Sequence, residues 1–279
     1  MPLISRFDPW HSGLCTCPPK LTFNPYTGCD HHCLYCYATS YIPNFQVVHP
    51  KKDLLSALKQ EAAKLKGETI SLCNSSDPYP KAEATEGLTR RCLEILVESN
   101  CRIQIITKSN LVTRDDDLLC KVPATVAITI TTDDDQLAKT LEPHAPLPTQ
   151  RIRAAQDLTK AGIPVSVRID PIIPNINDHP QKLISTLATI GIKHITASTY
   201  KAKPDNWKRI SEAFHNQALI LKPLYFEQGE RVGRRSGEAR QDLVVVQAPD
   251  LAGAVLDDGV AEGDLAIAGH DHPAPVPDR

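Results

Sequence analysis

The chain has 279 residues, 41% hydrophobic and 23% charged, a balance that excludes wholesale disorder and suffices for one large α/β core or two small ones. Its formal charge of −2 hides an uneven split: residues 236–279 carry nine acidic and two basic residues (−7), so the first 235 carry 29 basic against 24 acidic (+5). That mildly basic body permits a nucleic-acid partner without demanding one. Aromatic residues, at 5%, argue against a broad stacking surface for single strands. No apolar run approaches the ~18 residues of a membrane helix, and Met1 to Trp10 show no leader pattern, so a cytoplasmic protein is expected.

Along the chain, residues 1–20 are irregular, with Pro2, Pro9, Pro18 and Pro19. Strand and helix patterns then alternate. Residues 21–24 suit a short strand, and 51–66 place Leu54, Leu58, Ala62 and Leu65 at helical spacing. Strands are expected over 68–73, 102–107, 125–131, 164–169 and 193–197. The helices between them are expected over 85–99, a short segment capped by Thr113 and ending near Cys120, 149–161 capped by Thr149 and stopped by Gly162, 180–190 stopped by Gly191, and 204–220. Six strand–helix units with no hairpin pattern between them imply a parallel sheet, and six rather than eight imply a partial barrel. From Ser236 onward the chain is rich in Ala, Gly and Asp and has no Lys, Cys or aromatic residue, with 243–246 and 251–256 suited to short elements. The expected organisation is an irregular segment 1–20, a barrel 21–235 and an acidic tail 236–279, with a chain ending near Arg235 expected to keep its fold.

Nine cysteines is an odd count that argues against a disulfide framework and for metal or redox chemistry. Cys29, Cys33 and Cys36 stand in a C-x3-C-x2-C spacing just after the first strand, within Asn24-Pro25-Tyr26-Thr27-Gly28-Cys29-Asp30-His31-His32-Cys33-Leu34-Tyr35-Cys36-Tyr37. Three thiolates on a tight loop can hold three corners of a cubane iron–sulfur cluster and leave one iron open to a small molecule. A structural zinc site would want a fourth closed ligand, which His31 or His32 could supply. A non-catalytic iron–sulfur electron carrier would also want four protein ligands.

This loop resembles the signature of the radical S-adenosylmethionine (radical SAM) enzymes. A closer resemblance, over residues 12–235, is to the spore photoproduct lyase-like (DNA repair photolyase-like) group. It rests on Cys33-Leu34-Tyr35-Cys36-Tyr37, on Cys73 followed by Asn74-Ser75-Ser76-Asp77-Pro78, and on Thr107-Lys108. The resemblance implies a partial (β/α)6 TIM-like barrel and a [4Fe-4S] cluster on Cys29, Cys33 and Cys36. It also implies S-adenosyl-L-methionine cleaved to a 5′-deoxyadenosyl radical, a reductant such as ferredoxin or flavodoxin, and hydrogen abstraction from a substrate, with a nucleic acid under DNA repair ahead of modification of tRNA or protein. No membrane partner is implied.

Chemistry in β/α barrels gathers at the carboxyl ends of the strands. Carried over residue by residue, the resemblance places Ser75, Lys108 and Thr131 at the methionine part of the cofactor and Arg168 or Asp170 at its ribose. It makes Cys73 a hydrogen-atom donor and Tyr35 and Tyr37 radical relays. Each has a plainer reading: a solvated Lys108, a Thr131 hydroxyl bonded to backbone, an Arg168–Asp170 pair stiffening the barrel, a Cys73 that is core, and tyrosines that pack around the cluster. Cys92, Cys101 and Cys120 read as core. Cys15 and Cys17 read as inert thiols or a second metal site.

Overall fold

The computed structural model describes residues 2–7, 19–227 and 244–247. Cys15, Cys17 and most of the acidic tail lie outside the described residues. Eight strands form one sheet in strict chain order: β1 (Ser5–Phe7), β2 (Lys20–Phe23), β3 (Glu68–Leu72), β4 (Cys101–Thr107), β5 (Ala124–Thr129), β6 (Val165–Ile172), β7 (His194–Thr199) and β8 (Val244–Gln247). β2 to β7 are parallel, as the alternating pattern implied. The two outermost strands are antiparallel additions, β1 against β2 and β8 against β7.

Parallel neighbours in chain order require a crossover of the same hand each time, which puts every helix on one face. The strands are built for that. Ile70 and Leu72, Ile103 and Ile105, Val126 and Ile128, Val167 and Ile169, and Ile195 are buried under the helices. The alternate positions include Thr69, Ser71, Gln104, Thr129, Ser166, Arg168, Asp170, Thr196 and Ser198, so the inner face is mostly polar. The outer face packs on α1 (Leu54–Ala62), α2 (Leu88–Val97), α3 (Asp116–Leu119), α5 (Pro148–Lys160) and α6 (Gln181–Thr189), through residues such as Leu58, Leu93, Leu96, Ala155, Leu158 and Leu187, whereas α4 (Asp135–Leu141) puts Leu137 and Leu141 in a second apolar cluster with Cys33 and Tyr35. Two further helices, α7 (Pro204–Ala213) and α8 (His215–Lys222), follow β7. No helix among the described residues is long and apolar enough to cross a membrane.

Several local expectations are corrected. The helix expected at Thr149 begins at Pro148, and it is the Gln150 side chain that accepts from the Leu147 N–H (2.9 Å). Thr149 instead donates its hydroxyl to Asp135. Ser109, not Thr113, caps the turn that precedes α3, accepting from the Leu111 N–H. The helix expected over 204–220 breaks at Phe214. α4 was not anticipated; Asp134 caps it by accepting from the Gln136 and Leu137 N–H groups. Cys120 is exposed rather than core, whereas Cys92 and Cys101 are buried.

The place of β8 bears on the tail. A chain ending near Arg235 lacks β8 and bares the edge of β7, an unpaired edge that invites association. We expect such a chain to fold with a thermal midpoint several degrees lower, since about 1 kcal/mol moves the midpoint by roughly 2–4 °C at this size. An unchanged midpoint and unchanged monodispersity in light scattering would show that β8 contributes nothing.

Candidate active site

The segment after β2 holds its shape with little regular structure. Gly28 has φ +84°, and a Cβ there would lie 2.2 Å from the Val47 carbonyl oxygen, so only glycine fits this approach. The next N–H, of Cys29, donates to the Phe45 oxygen at 2.7 Å. His32 also sits in the left-handed region (φ 55°), and the Cys36 N–H closes a turn onto the Cys33 oxygen at 3.1 Å. The result is that Cys29, Cys33 and Cys36 all line one cavity of about 1100 Å³, which runs along the inside of the sheet from the carboxyl ends of the strands to Lys20, Glu68 and Thr69 at the amino ends of β2 and β3.

That cavity also takes in Tyr35, Tyr37, Cys73, Ser75, Lys108, Arg168, Asp170 and Lys201. Most of the residues expected at the site are therefore brought together. Thr131 is not: it does not line the cavity, and its buried hydroxyl donates to Glu142 Oε1 at 3.1 Å. Cys73 is 1% exposed and has φ 57°, a left-handed conformation that costs a non-glycine residue about 1–3 kcal/mol. Burial, eased in part by Ser76, pushes its thiol well above the ordinary range, so the sulfur keeps its hydrogen at neutral pH.

The charges are paired in a definite pattern. Asp170 pairs with Arg168 at 2.6 Å and accepts from the Ser198 hydroxyl. Burial works against its ionisation, but Arg168, Ser198 and Lys201 outweigh it and hold the carboxyl below its ordinary value. Lys108 is half-buried, its Nζ 5.5 Å over the Tyr35 ring. Burial opposes its charge, yet the neighbouring Cys33 and Glu142 raise it above the usual lysine value. Burial pushes the Cys33 thiol up to about 12, with Lys108 opposing.

Two buried groups that sequence reasoning missed fasten the loop. Asp77 accepts from the Tyr79 N–H (2.9 Å), the Thr107 hydroxyl (2.7 Å) and the Lys108 N–H (2.7 Å), and lies 3.1 Å from His31 Nε2. Burial alone would raise its carboxyl; His31 and these donors instead bring it down to about 2. Glu142, just past α4, accepts from the Tyr35 and Thr131 hydroxyls and pairs with Arg151 of α5 at 2.5 Å. Arg151 is fully buried and also donates to the Pro146 and Thr129 carbonyls. Asp77 stands inside a motif the sequence made visible; nothing about Glu142 and Arg151, nine residues apart, marks them as partners.

Comparison with known proteins gives the class. The family model of the radical SAM superfamily matches residues 23–187, more than half of the chain, and the chain belongs to that superfamily. Members use a [4Fe-4S] cluster and S-adenosylmethionine. More particular likenesses follow. An uncharacterised protein of Mycobacterium tuberculosis is 29% identical over 198 residues, covering 64% of this chain and 58% of the relative. One of Methanocaldococcus jannaschii is 34% identical over 166 residues, 57% and 62% of the two chains. The chain thus spans about three fifths of the length of these relatives. A spore photoproduct lyase variant with bound AdoMet and dinucleoside spore photoproduct shares the fold with a TM-score of 0.55 at 16% identity, over 70% of this chain and 61% of that one. A second structure of that lyase gives 0.57 at 14% identity, over 82% and 70%.

The donor set fits the superfamily's cluster. Three thiols face one cavity from a single loop, an all-sulfur donor set of the kind that holds iron–sulfur clusters.

The Glu142–Arg151 pair yields a test. Arg151→Ala strands a buried carboxylate, and we expect a loss of about 3–5 kcal/mol in denaturant unfolding. A loss below about 1 kcal/mol would mean that water or Lys108 takes over the pairing.

Proposed function

We propose that this chain is a lyase-like radical SAM enzyme that abstracts hydrogen from a nucleic-acid substrate and returns hydrogen through Cys73. The observation that carries the reading is that Cys29, Cys33, Cys36 and Cys73 line one cavity. Held by Cys29, Cys33 and Cys36, a cluster would supply reductive cleavage of S-adenosylmethionine to a 5′-deoxyadenosyl radical, the electron coming from a donor such as ferredoxin or flavodoxin.

The protein's own groups bind and orient. In this reading Cys29, Cys33 and Cys36 would hold three of the four irons, and Lys108, a half-buried cation beside them, pairs with the cofactor's carboxylate. Ser75 offers a hydroxyl on the same wall, and Asp170, kept ionised by Arg168, accepts from ribose hydroxyls. Cys73 carries the hydrogen atom: its weak S–H bond breaks homolytically, the hydrogen joins the product radical, and the odd electron stays on sulfur. Tyr37 lines the same cavity, with Lys201 Nζ 5.4 Å from its ring, and in this reading gives its phenolic hydrogen atom to that sulfur radical, which restores the thiol and passes the radical to the ring. Tyr35, tied by its hydroxyl to Glu142, is better suited to holding the loop. Charge supports a phosphate-bearing substrate: Arg6, Lys20, Lys108, Arg168 and Lys201 line the cavity against Glu68, Asp77 and Asp170.

Two experiments test this. Anaerobically reconstituted protein should bind about four irons and, once reduced, release 5′-deoxyadenosine; Cys→Ala exchange at position 29, 33 or 36 should abolish both. A triple variant that still loads iron and cleaves the cofactor would sink the ligand assignment. Cys73→Ala should load iron and cleave the cofactor yet give altered or trapped products with the true substrate. If Cys73 only packs, its removal costs about 1 kcal/mol of stability and leaves the product spectrum unchanged.

A further inference from the structure

The cluster loop is gripped from outside by α7, beyond the region that the family model matches. Three consecutive loop carbonyls each accept from this one helix. Arg209 Nε donates to the Leu34 oxygen (2.9 Å), Asn206 Nδ2 to the Tyr35 oxygen (3.2 Å) and Arg209 Nη2 to the Cys36 oxygen (3.1 Å). Both side chains are themselves oriented. Arg209 also donates to Thr39 Oγ1 (2.9 Å) and Asp205 Oδ2 (3.2 Å), and the Asn206 oxygen accepts from the Tyr200 hydroxyl (2.6 Å) and the Lys203 N–H (2.8 Å). Asn206 is wholly buried.

We propose that Arg209 is a positioning residue for the iron–sulfur centre: its fork sets the Leu34–Cys36 backbone, and its charge favours the reduced cluster. The inference rests on the radical SAM reading above. Guanidinium donors on one rigid edge can reach two carbonyls at a fixed spacing, which a lysine ammonium cannot. A permanent cation bonded to the backbone of the Cys36 ligand lowers the energy of the state that carries the extra electron, and charge and hydrogen bonds around a cluster set its potential. Asp205 offsets part of that cation, so removing Arg209 both withdraws the positive charge and leaves Asp205 uncompensated.

The test uses the full chain, reconstituted anaerobically, with Arg209→Gln and Arg209→Lys. Iron content, iron loss to a chelator and the cluster's midpoint potential by EPR-monitored titration are read. Arg209→Gln should move the midpoint to more negative values and lose iron about 10-fold faster or more, the size of effect that outer partners of metal ligands have. Arg209→Lys should stay near the parental midpoint but share the faster loss, because charge is kept and the fork is not. An Arg209→Gln protein with parental midpoint and parental iron loss overturns the proposal. If that variant does not fold, Arg209→Lys decides: faster iron loss at a parental midpoint supports the clamp, and parental iron loss overturns it. A parent chain that retains no iron overturns the radical SAM reading itself, whereas about four irons in the parent with unmoved variants overturns the clamp alone.

Discussion

A loop that presents three thiols to a cavity cannot also satisfy its own backbone. From Cys29 to Tyr37 the chain has neither helix nor strand, and each buried carbonyl or N–H left without a partner costs about as much as a lost hydrogen bond. The rest of the fold supplies those partners. The Phe45 carbonyl takes the Cys29 N–H, the end of α4 takes the Leu34 N–H at 2.8 Å, and α7 covers three carbonyls in a row. The site is thus built from segments 171 to 175 residues apart in sequence, and an element far from the cysteine motif decides how precisely it is held.

The inner face of the sheet answers a different constraint. A parallel sheet covered on both faces reads as continuous apolar runs. Here the strands alternate: Ile103, Ile105 and Val126 face the helices, while Gln104, Thr129, Arg168 and Ser198 face inward. A lumen lined with polar side chains need not close on itself, so the space that a complete barrel fills with aliphatic layers stays open under the cysteine loop. The outward half of the pattern provides the core; the inward half provides room and hydrogen-bonding groups for a cofactor and a polar substrate.

How much of this could be read from the residues follows the same division. The six parallel strands were legible because each carries β-branched residues between helical patterns, and the cysteine spacing named its own chemistry. β1, three residues long, was not legible, and although 243–246 suited a short element, nothing in a stretch whose composition resembles a solvated tail marked β8 as the edge of the sheet. Strand-end reasoning brought Ser75, Lys108 and Asp170 to the cavity but misplaced Thr131, because two residues beyond β5 the chain has turned and the hydroxyl meets Glu142. Periodicity reports which face a residue occupies within an element; it is silent on what a side chain meets once the element has ended.

Glu142 and Arg151 show why such partners evade sequence patterns and still matter. A buried ion pair is poor evidence of stability, because the cost of taking two charges out of water offsets most of their attraction, and a well-packed apolar pair would serve stability as well. Apolar side chains could not do what Glu142 does, however. Its carboxylate accepts from the Tyr35 hydroxyl on the cluster loop and from Thr131 after β5, while Arg151 joins it to α5 and to the Pro146 and Thr129 carbonyls. A carboxylate with its acceptors filled has one favourable orientation, and Tyr35 inherits it. The pair is better understood as geometry than as stability: the desolvation cost is met so that Leu34, Tyr35 and Cys36 keep one conformation, with α7 gripping the same three residues from the other side.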